Sequence, residues 1–289
     1  MKEPFEIEWL GGVAEKHFRR LRPGVSDLPW GTLDPSRYPA PLVAVARMAW
    51  TQIALSEYRA ALSFSELLKL LLEARAPLDL VGMAGDFVAD EVSHVEIASR
   101  VAMELGGGVG VEVDTAALLL KPAAGLEPLA RANERMVRTC IHETFSESIA
   151  TGAMKTTTQP LLKAAQELIS RDEARHTRIG WLYFDWASEL LDEPEQARLG
   201  EIATRIVEQL ARTLRERTSR VKDGVTTEGY LVEHVRELGW MDSESYRARA
   251  IGCIRKDIVP PLAKRGIVVD AERLSRALGS QATQGARGE

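Results

Sequence analysis

Asp90-Glu91-Val92-Ser93-His94 and Asp172-Glu173-Ala174-Arg175-His176 are two copies of one unit, Asp-Glu-x-x-His. Each follows a further glutamate at a similar interval: Glu57 lies 34 residues before Glu91, and Glu143 lies 30 residues before Glu173. On an α-helix, residues three apart share a face, so Glu91 with His94 and Glu173 with His176 can each grip one ion. Such an interval is enough for a helix to end, turn and return antiparallel. Four carboxylates and two imidazoles then converge inside a bundle of four helices. One Glu-x-x-His would say little, because such pairs are common on solvated helix faces. Two of them, each preceded by Asp and each with a spaced Glu, carry specific information.

The sequence around the motifs supports helices at the right places. Pro41 suits the first turn of a helix running to about Glu73. On it Trp50, Ile53, Ala54, Glu57, Ala61, Phe64 and Leu68 form one stripe at helical spacing. Glu57 stands in the middle of that apolar stripe, where an unpaired carboxylate is costly and a cation is its natural partner. Ala76-Pro77 breaks the chain before a second helix to about Leu105, ended by Gly106-Gly107-Gly108. Phe87, Glu91, His94, Ala98 and Val101 share its inner face. A third helix is expected from about Pro128 to Lys155, and a fourth from Gln159-Pro160 to about Leu191. The stretch Gly106 to Gly125, with a short apolar run at Ala116 to Leu120, is the long crossover between the two helix pairs.

These residues resemble the ferritin-like superfamily, and within it the di-iron carboxylate oxidases and oxygenases, over roughly Leu42 to Leu191. Asp-Glu-Ala-Arg-His at 172–176 matches the Asp-Glu-x-Arg-His form of that group. The resemblance implies an all-α protein: a ferritin-like four-helix bundle over residues 41–191, with a long crossover and additional C-terminal helices over 192–278. Residues 1–40 are expected to be an extended N-terminal lead-in, dense in proline from Arg22 to Pro41, with Trp30 and Tyr38 as apolar anchors. Residues 279–289 are expected to be a disordered tail. In the extension, helices are expected near Gln196–Arg220, Tyr230–Leu238, Ser243–Ile254 and Ala271–Leu278. Ile202, Ile206, Leu210 and Leu214 repeat at four-residue spacing, which suits packing on the bundle first and a homodimer second.

The donor set of carboxylate oxygens and imidazole nitrogens suits iron or manganese, so two Fe ions are expected, or a Mn/Fe pair. Glu57 and His94 would hold one ion, Glu143 and His176 the other, with Glu91 and Glu173 bridging. Four carboxylates balance two divalent cations, which makes burial of the whole tolerable. Six side chains leave coordination positions open for water, O2 or substrate. Asp90 and Asp172 are candidates to accept the outer ring N–H of a ligand histidine. In similar proteins each serves the histidine of the opposite helix. Arg175 is a candidate partner for one of these aspartates. One turn past Glu143, Glu147 is a candidate seventh ligand or proton carrier, and Ser146 is a candidate catalytic hydroxyl facing the metals, in the turn where some similar oxygenases place Thr or Ser. His142 points about 100° away from Glu143. His17 and His234 lack ligand-like company, and Tyr58, Tyr183 and Trp186 read as core.

Function follows as an expectation. Reduced di-iron with O2 as co-substrate would oxidise a small organic substrate by hydroxylation, N-oxygenation or desaturation. The roughly 140 residues outside the bundle exceed what iron storage needs and suit a roofed substrate cavity. The N-oxygenase branch typically adds a histidine at the position of Ile169, which this chain lacks. The alternatives are a ferroxidase or iron-handling subunit, a rubrerythrin-like peroxidase, and a helical scaffold that has lost its metal. Two isolated cysteines, Cys140 and Cys253, cannot supply the four thiolates of an iron–sulfur centre, so electrons would come from a separate reductase or from peroxide. The net charge of −5 gives no basic excess pointing to nucleic acid or an anionic membrane. No run of about 18 apolar residues predicts a membrane span. Glu3, Glu6 and Glu8 are unlike a secretory signal, and the expectation is a soluble, cytoplasmic protein with reduced thiols.

Overall fold

A computed structural model describes residues 2–114, 125–215 and 219–279, and it is all-α apart from two small strand pairs. Four long helices dominate: α2 (Ala40–Glu73), α3 (Leu78–Glu104), α4 (Pro128–Thr156) and α5 (Pro160–Ala187), with the shorter α1 (Gly12–Leu21) ahead of them. Each long helix starts beside a proline: Pro39 and Pro77 stand at the caps of α2 and α3, while Pro128 and Pro160 open α4 and α5. Proline needs no N–H partner there, and its fixed φ suits the first turn. The Ala74–Pro77 turn reverses the chain, with Arg75 in the left-handed region (φ 53°). Thr157 to Gln159 does the same between α4 and α5, where the Gln159 side chain accepts from Leu162 N at 2.8 Å. Helix α2 packs along α3 and α4 along α5, while α2 also meets α4 and α3 meets α5.

Buried apolar side chains fall into two blocks at opposite ends of these helices. One gathers Phe64, Leu67, Phe87, Met136, Ile141, Ile179 and Phe184 with the C-terminal helices. The other gathers Leu42, Trp50, Ile97, Val101, Leu161 and Ile169 with Val25 and Tyr38 of the N-terminal segment. Between them every long helix turns polar. Asp90, Glu91, Ser93 and His94 on α3, and Asp172, Glu173 and His176 on α5, are all buried.

The remaining helices lie outside the four: α6 (Glu193–Arg215), α7 (Val232–Glu237), α8 (Ser243–Cys253), α9 (Val259–Ala263) and α10 (Ala271–Leu278). Helices α6 and α8 pack on α4, and α10 packs on α6. The α6 stripe Ile202, Ile206 and Leu214 is buried within its own chain, with Leu210 packed on the same core. Between α8 and α9 the chain widens to a π-helical turn, Ile254–Ile258, just before Pro260 and Pro261 remove two helix donors.

Several boundaries differ from the sequence expectation. The lead-in is not extended throughout: α1 forms in the proline-free stretch before Pro23, and Pro23–Val25 and Pro35–Arg37 are single 3-10 turns. Strand β1 (Lys2–Pro4) pairs antiparallel with β2 (Glu112–Asp114) inside the crossover. Helix α5 stops at Ala187, short of Leu191, and a 3-10 turn follows. Helix α6 is described as far as Arg215, and Ser219 and Arg220 already lie outside it, ahead of the small hairpin β3–β4 (Val221–Lys222 and Val225–Thr226). The apolar run 116–120 and the tail 280–289 lie outside the described residues. Among the described residues no helix is long and apolar enough to cross a membrane.

Candidate metal centre

The structure brings all six candidate ligands together between the two apolar blocks. Glu57, Glu91, His94 and Glu173 form one group and Glu91, Glu143, Glu173 and His176 another. Within each group, one ligand atom per residue lies within 4.8 Å of the others. Across one ion with bonds of about 2.1 Å, opposite ligands stand about 4.2 Å apart, so the groups need to close only slightly. Glu91 and Glu173 belong to both groups. The imidazole centroids are 5.9 Å apart, one ring to each group. Helical geometry produces this: the (i, i+3) pairs of α3 and α5 face each other, and α2 and α4 each bring one glutamate from the other side.

Each histidine presents Nδ1 to the cluster. His94 Nδ1 is 3.4 Å from Glu91, 3.5 Å from Glu173 and 3.9 Å from Glu57. His176 Nδ1 is 3.0 Å from Glu91, 3.7 Å from Glu173 and 3.8 Å from Glu143. Each Nε2 turns outward to the aspartate of the opposite helix: His94 to Asp172 at 3.4 Å, His176 to Asp90 at 3.2 Å. An Nε2–H donated to a carboxylate leaves the Nδ1 lone pair facing inward, the tautomer a ligand needs.

The aspartates are themselves held. Arg175 bonds both, Asp90 at 3.1 Å and Asp172 at 2.8 Å, and so ties α3 to α5. Arg22, which the sequence reading left in the lead-in, reaches Asp90 at 2.5 Å and Asp86 at 2.8 Å. No periodicity announces Arg22, because it stands in the coil between α1 and the first 3-10 turn. Nearby, Arg19 on α1 bonds the buried Glu96 of α3, so the N-terminal segment is fixed to the helix carrying Glu91 and His94.

Two observations test whether these side chains suit cations. Both oxygens of Glu91 and the Nδ1 atoms of both histidines are buried with no hydrogen-bond partner among the described residues. Buried polar atoms are seldom left so, and here the four orphans point at shared ground. The electrostatics agree. Burial, reinforced by neighbouring glutamates, raises Glu57 and Glu173 well above the usual carboxylate range and pushes Glu143 up to about 8. Glu91 moves the other way, to about 2: burial opposes its charge, and the imidazoles of His176 and His94 outweigh burial. Burial likewise opposes charge on His176, yet Asp90 and Glu91 raise it to about 10. A cluster that draws in protons to this degree lacks positive charge, which two divalent ions would supply in their place. The all-oxygen and nitrogen donor set fits iron or manganese.

A cavity of about 280 Å³ adjoins the carboxylate side of the cluster, lined by Glu57, Glu91, Glu143 and Glu173 but by neither histidine. Its further walls come from α2, α4 and α5 and from Gly239, Trp240 and Tyr246 of the C-terminal extension. Ser146 is exposed and lines this cavity. Glu147 joins neither the cluster nor the cavity: it accepts from Thr151 at 2.8 Å and lies toward Cys253, where its charge adds to the burial that raises that thiol to about 11. A residue four positions along a helix is rotated about 40° from the first, enough to turn it off the narrow metal-facing strip. His142 and His17 are exposed, and His234 packs edge-on against Tyr38. Tyr183 is buried and donates to Asn133 at 2.6 Å, Trp186 packs on it, and Tyr58 is largely exposed against Phe5 rather than core. Cys140 and Cys253 are free and buried.

The sequence matches no protein-family model and no curated protein.

Proposed function

We propose that this chain is a dinuclear non-haem iron enzyme built on a ferritin-like four-helix bundle, which uses O2 to oxidise a small organic substrate. The observation that carries the reading is one of position: the cavity meets the cluster on the side of its carboxylates. Glu57 and His94 would hold one iron, Glu143 and His176 the other, with Glu91 and Glu173 shared. When bound, a reduced iron pair supplies the electrons for O2 activation, and a separate reductase would restore them. The protein's part is then positional. Asp90 and Asp172 hold the two imidazoles in one tautomer, and Arg22 and Arg175 hold the aspartates. Phe87, 4.3 Å from the His176 ring, and Phe64, at 5.2 Å, keep water from that side. Ser146, exposed and lining the cavity, would pass a proton between solvent and the site. The cavity favours an organic substrate over iron as the species oxidised.

Anaerobic Fe(II) titration with metal analysis, followed by measurement of O2 uptake, tests this. Two irons per chain and O2 consumption dependent on them are the expected result. Failure to bind iron stoichiometrically would refute the reading.

A further inference from the structure

Away from its four glutamates, the cavity beside the metal cluster is walled mainly by apolar side chains. Trp50, Phe145, Ile149, Ile169 and Trp240 enclose it, with the indoles of Trp50 and Trp240 edge to face at 6.3 Å. Among the described residues, no lysine, arginine or histidine lines it. Its carboxylates are the four candidate metal ligands, whose charge two divalent ions balance. Gln166, the buried amide in the wall, is already engaged: it donates to Gly239 O and accepts from Thr157, both at 2.7 Å. The hydroxyls of Ser56 and Ser146 belong to exposed residues. A charged ligand would therefore find no counter-charge inside, and burying a lone charge is strongly unfavourable.

Size narrows the class further. A cavity of about 150 Å³ lined by apolar side chains admits benzene, and this one, at about 280 Å³, is close to twice as large. We propose that the cavity binds an uncharged aromatic molecule of about two fused rings, held by its faces and edges against Trp50, Phe145 and Trp240. The exclusion of charged ligands rests on the metal-centre reading, because two divalent ions must balance the four glutamates in the wall, whereas the fit of a two-ring aromatic to the cavity does not.

Calorimetric titration of the full chain, both metal-free and loaded with Zn(II), separates the two. The probes are 2-naphthol, 2-naphthoate and 2-naphthylmethylammonium, which share one ring system and differ in charge at neutral pH. The expected result is binding of one 2-naphthol per Zn(II)-loaded chain, with both charged probes at least tenfold weaker. Ala150→Phe, which puts a ring into the cavity from α4, should abolish 2-naphthol binding with metal content unchanged, and Ile169→Phe should weaken it. Equal or tighter binding of either charged probe, no heat from 2-naphthol, or its unchanged binding to both variants would overturn the proposal. Binding of 2-naphthol by a chain that takes up no Zn(II) would support the pocket and count against the metal centre. Two Zn(II) per chain without 2-naphthol binding would sink the pocket alone.

Discussion

Replacing Asp90 by Asn should weaken one metal position and spare the other. Asp90 is fully buried, and its two oxygens serve three donors: Arg22 on Oδ1, and Arg175 and His176 Nε2 on Oδ2. An amide keeps the shape but has one acceptor oxygen. Whichever way it turns, an NH2 group then faces either the Arg22 guanidinium or the His176 ring N–H, and a donor meets a donor. Turned one way the amide leaves His176 without an acceptor; turned the other it offers a neutral oxygen in place of the carboxylate, a weaker hold on the tautomer, while His94 keeps Asp172 in both cases. Loss of such a partner typically costs 10- to 100-fold in metal affinity, or about 1.4–2.7 kcal/mol. Anaerobic Co(II) titration against a competing chelator reads this directly. Two steps are expected, one near the wild-type affinity and one weakened by that factor. Asp172→Asn should give the mirror result, with the position of His94 weakened. Thermal unfolding of both metal-free variants guards against a general loss of structure. Equal weakening of both positions, or no weakening in either variant, would refute the crossed aspartate–histidine pairing as the device that orients the ligands.

Four further substitutions have expected outcomes. Glu91→Ala should lose at least one ion while far-UV circular dichroism stays helical, and full retention of both ions would exclude a shared role for Glu91. Arg22→Gln, which removes a charged partner from a buried carboxylate, should cost about 1.5–3 kcal/mol in denaturant unfolding, less whatever solvent screening at the partly exposed Arg22 already takes away. Gly180→Ala should lower the thermal midpoint, because the new Cβ would stand 2.5 Å from Cys140 Cβ and 2.9 Å from its Cα; overpacking of this kind costs about 1–3 kcal/mol. Asp242 caps α8 by accepting from Ser245 N at 2.9 Å, so Asp242→Ala should cost about 1 kcal/mol at neutral pH. Burial opposes that charge, but Ser245 and Arg236 outweigh it and hold the carboxyl below its ordinary 3.8. Its stabilisation is therefore present above that value and fades as pH falls through the lowered one, and the variant should lose this part of the acid dependence in pH-dependent unfolding.

The ligand cluster was legible because helical periodicity is local physics. Glu91 and His94, or Glu173 and His176, share a face whatever surrounds them, and a glutamate in an apolar stripe calls for a cation at once. The starts of the four long helices were legible for the same reason, each marked by a proline, whereas the end of α5 at Ala187 carries neither proline nor glycine and falls short of the expected Leu191. Arg22 was not, since nothing within its own stretch requires it to meet Asp90, 68 residues later. Helix α1 was obscured by the proline-rich segment that follows it, and none of its residues is buried to give a core stripe. Glu147 misled because four residues is close to a full turn without being one.

The cavity lies between these cases. Trp50 and Ile169 belong to the same stripes as Glu57 and Glu173, and by periodicity alone they are core. A core residue becomes a cavity wall only when the element opposite fails to fill the space, and that depends on side-chain volume across the gap. Ala60 lies one turn beyond Glu57, Ala150 two turns beyond Glu143, and Ala153 and Gly239 also line the space. None carries more than a methyl group where the facing helices turn large aromatics inward. Filling the same volume with leucines would add apolar burial and cost little in helix propensity at the alanine positions. The small residues beside the candidate ligand glutamates are thus the trace the cavity leaves in the sequence, readable once the glutamate- and histidine-bearing stripes have told which side of each helix faces which.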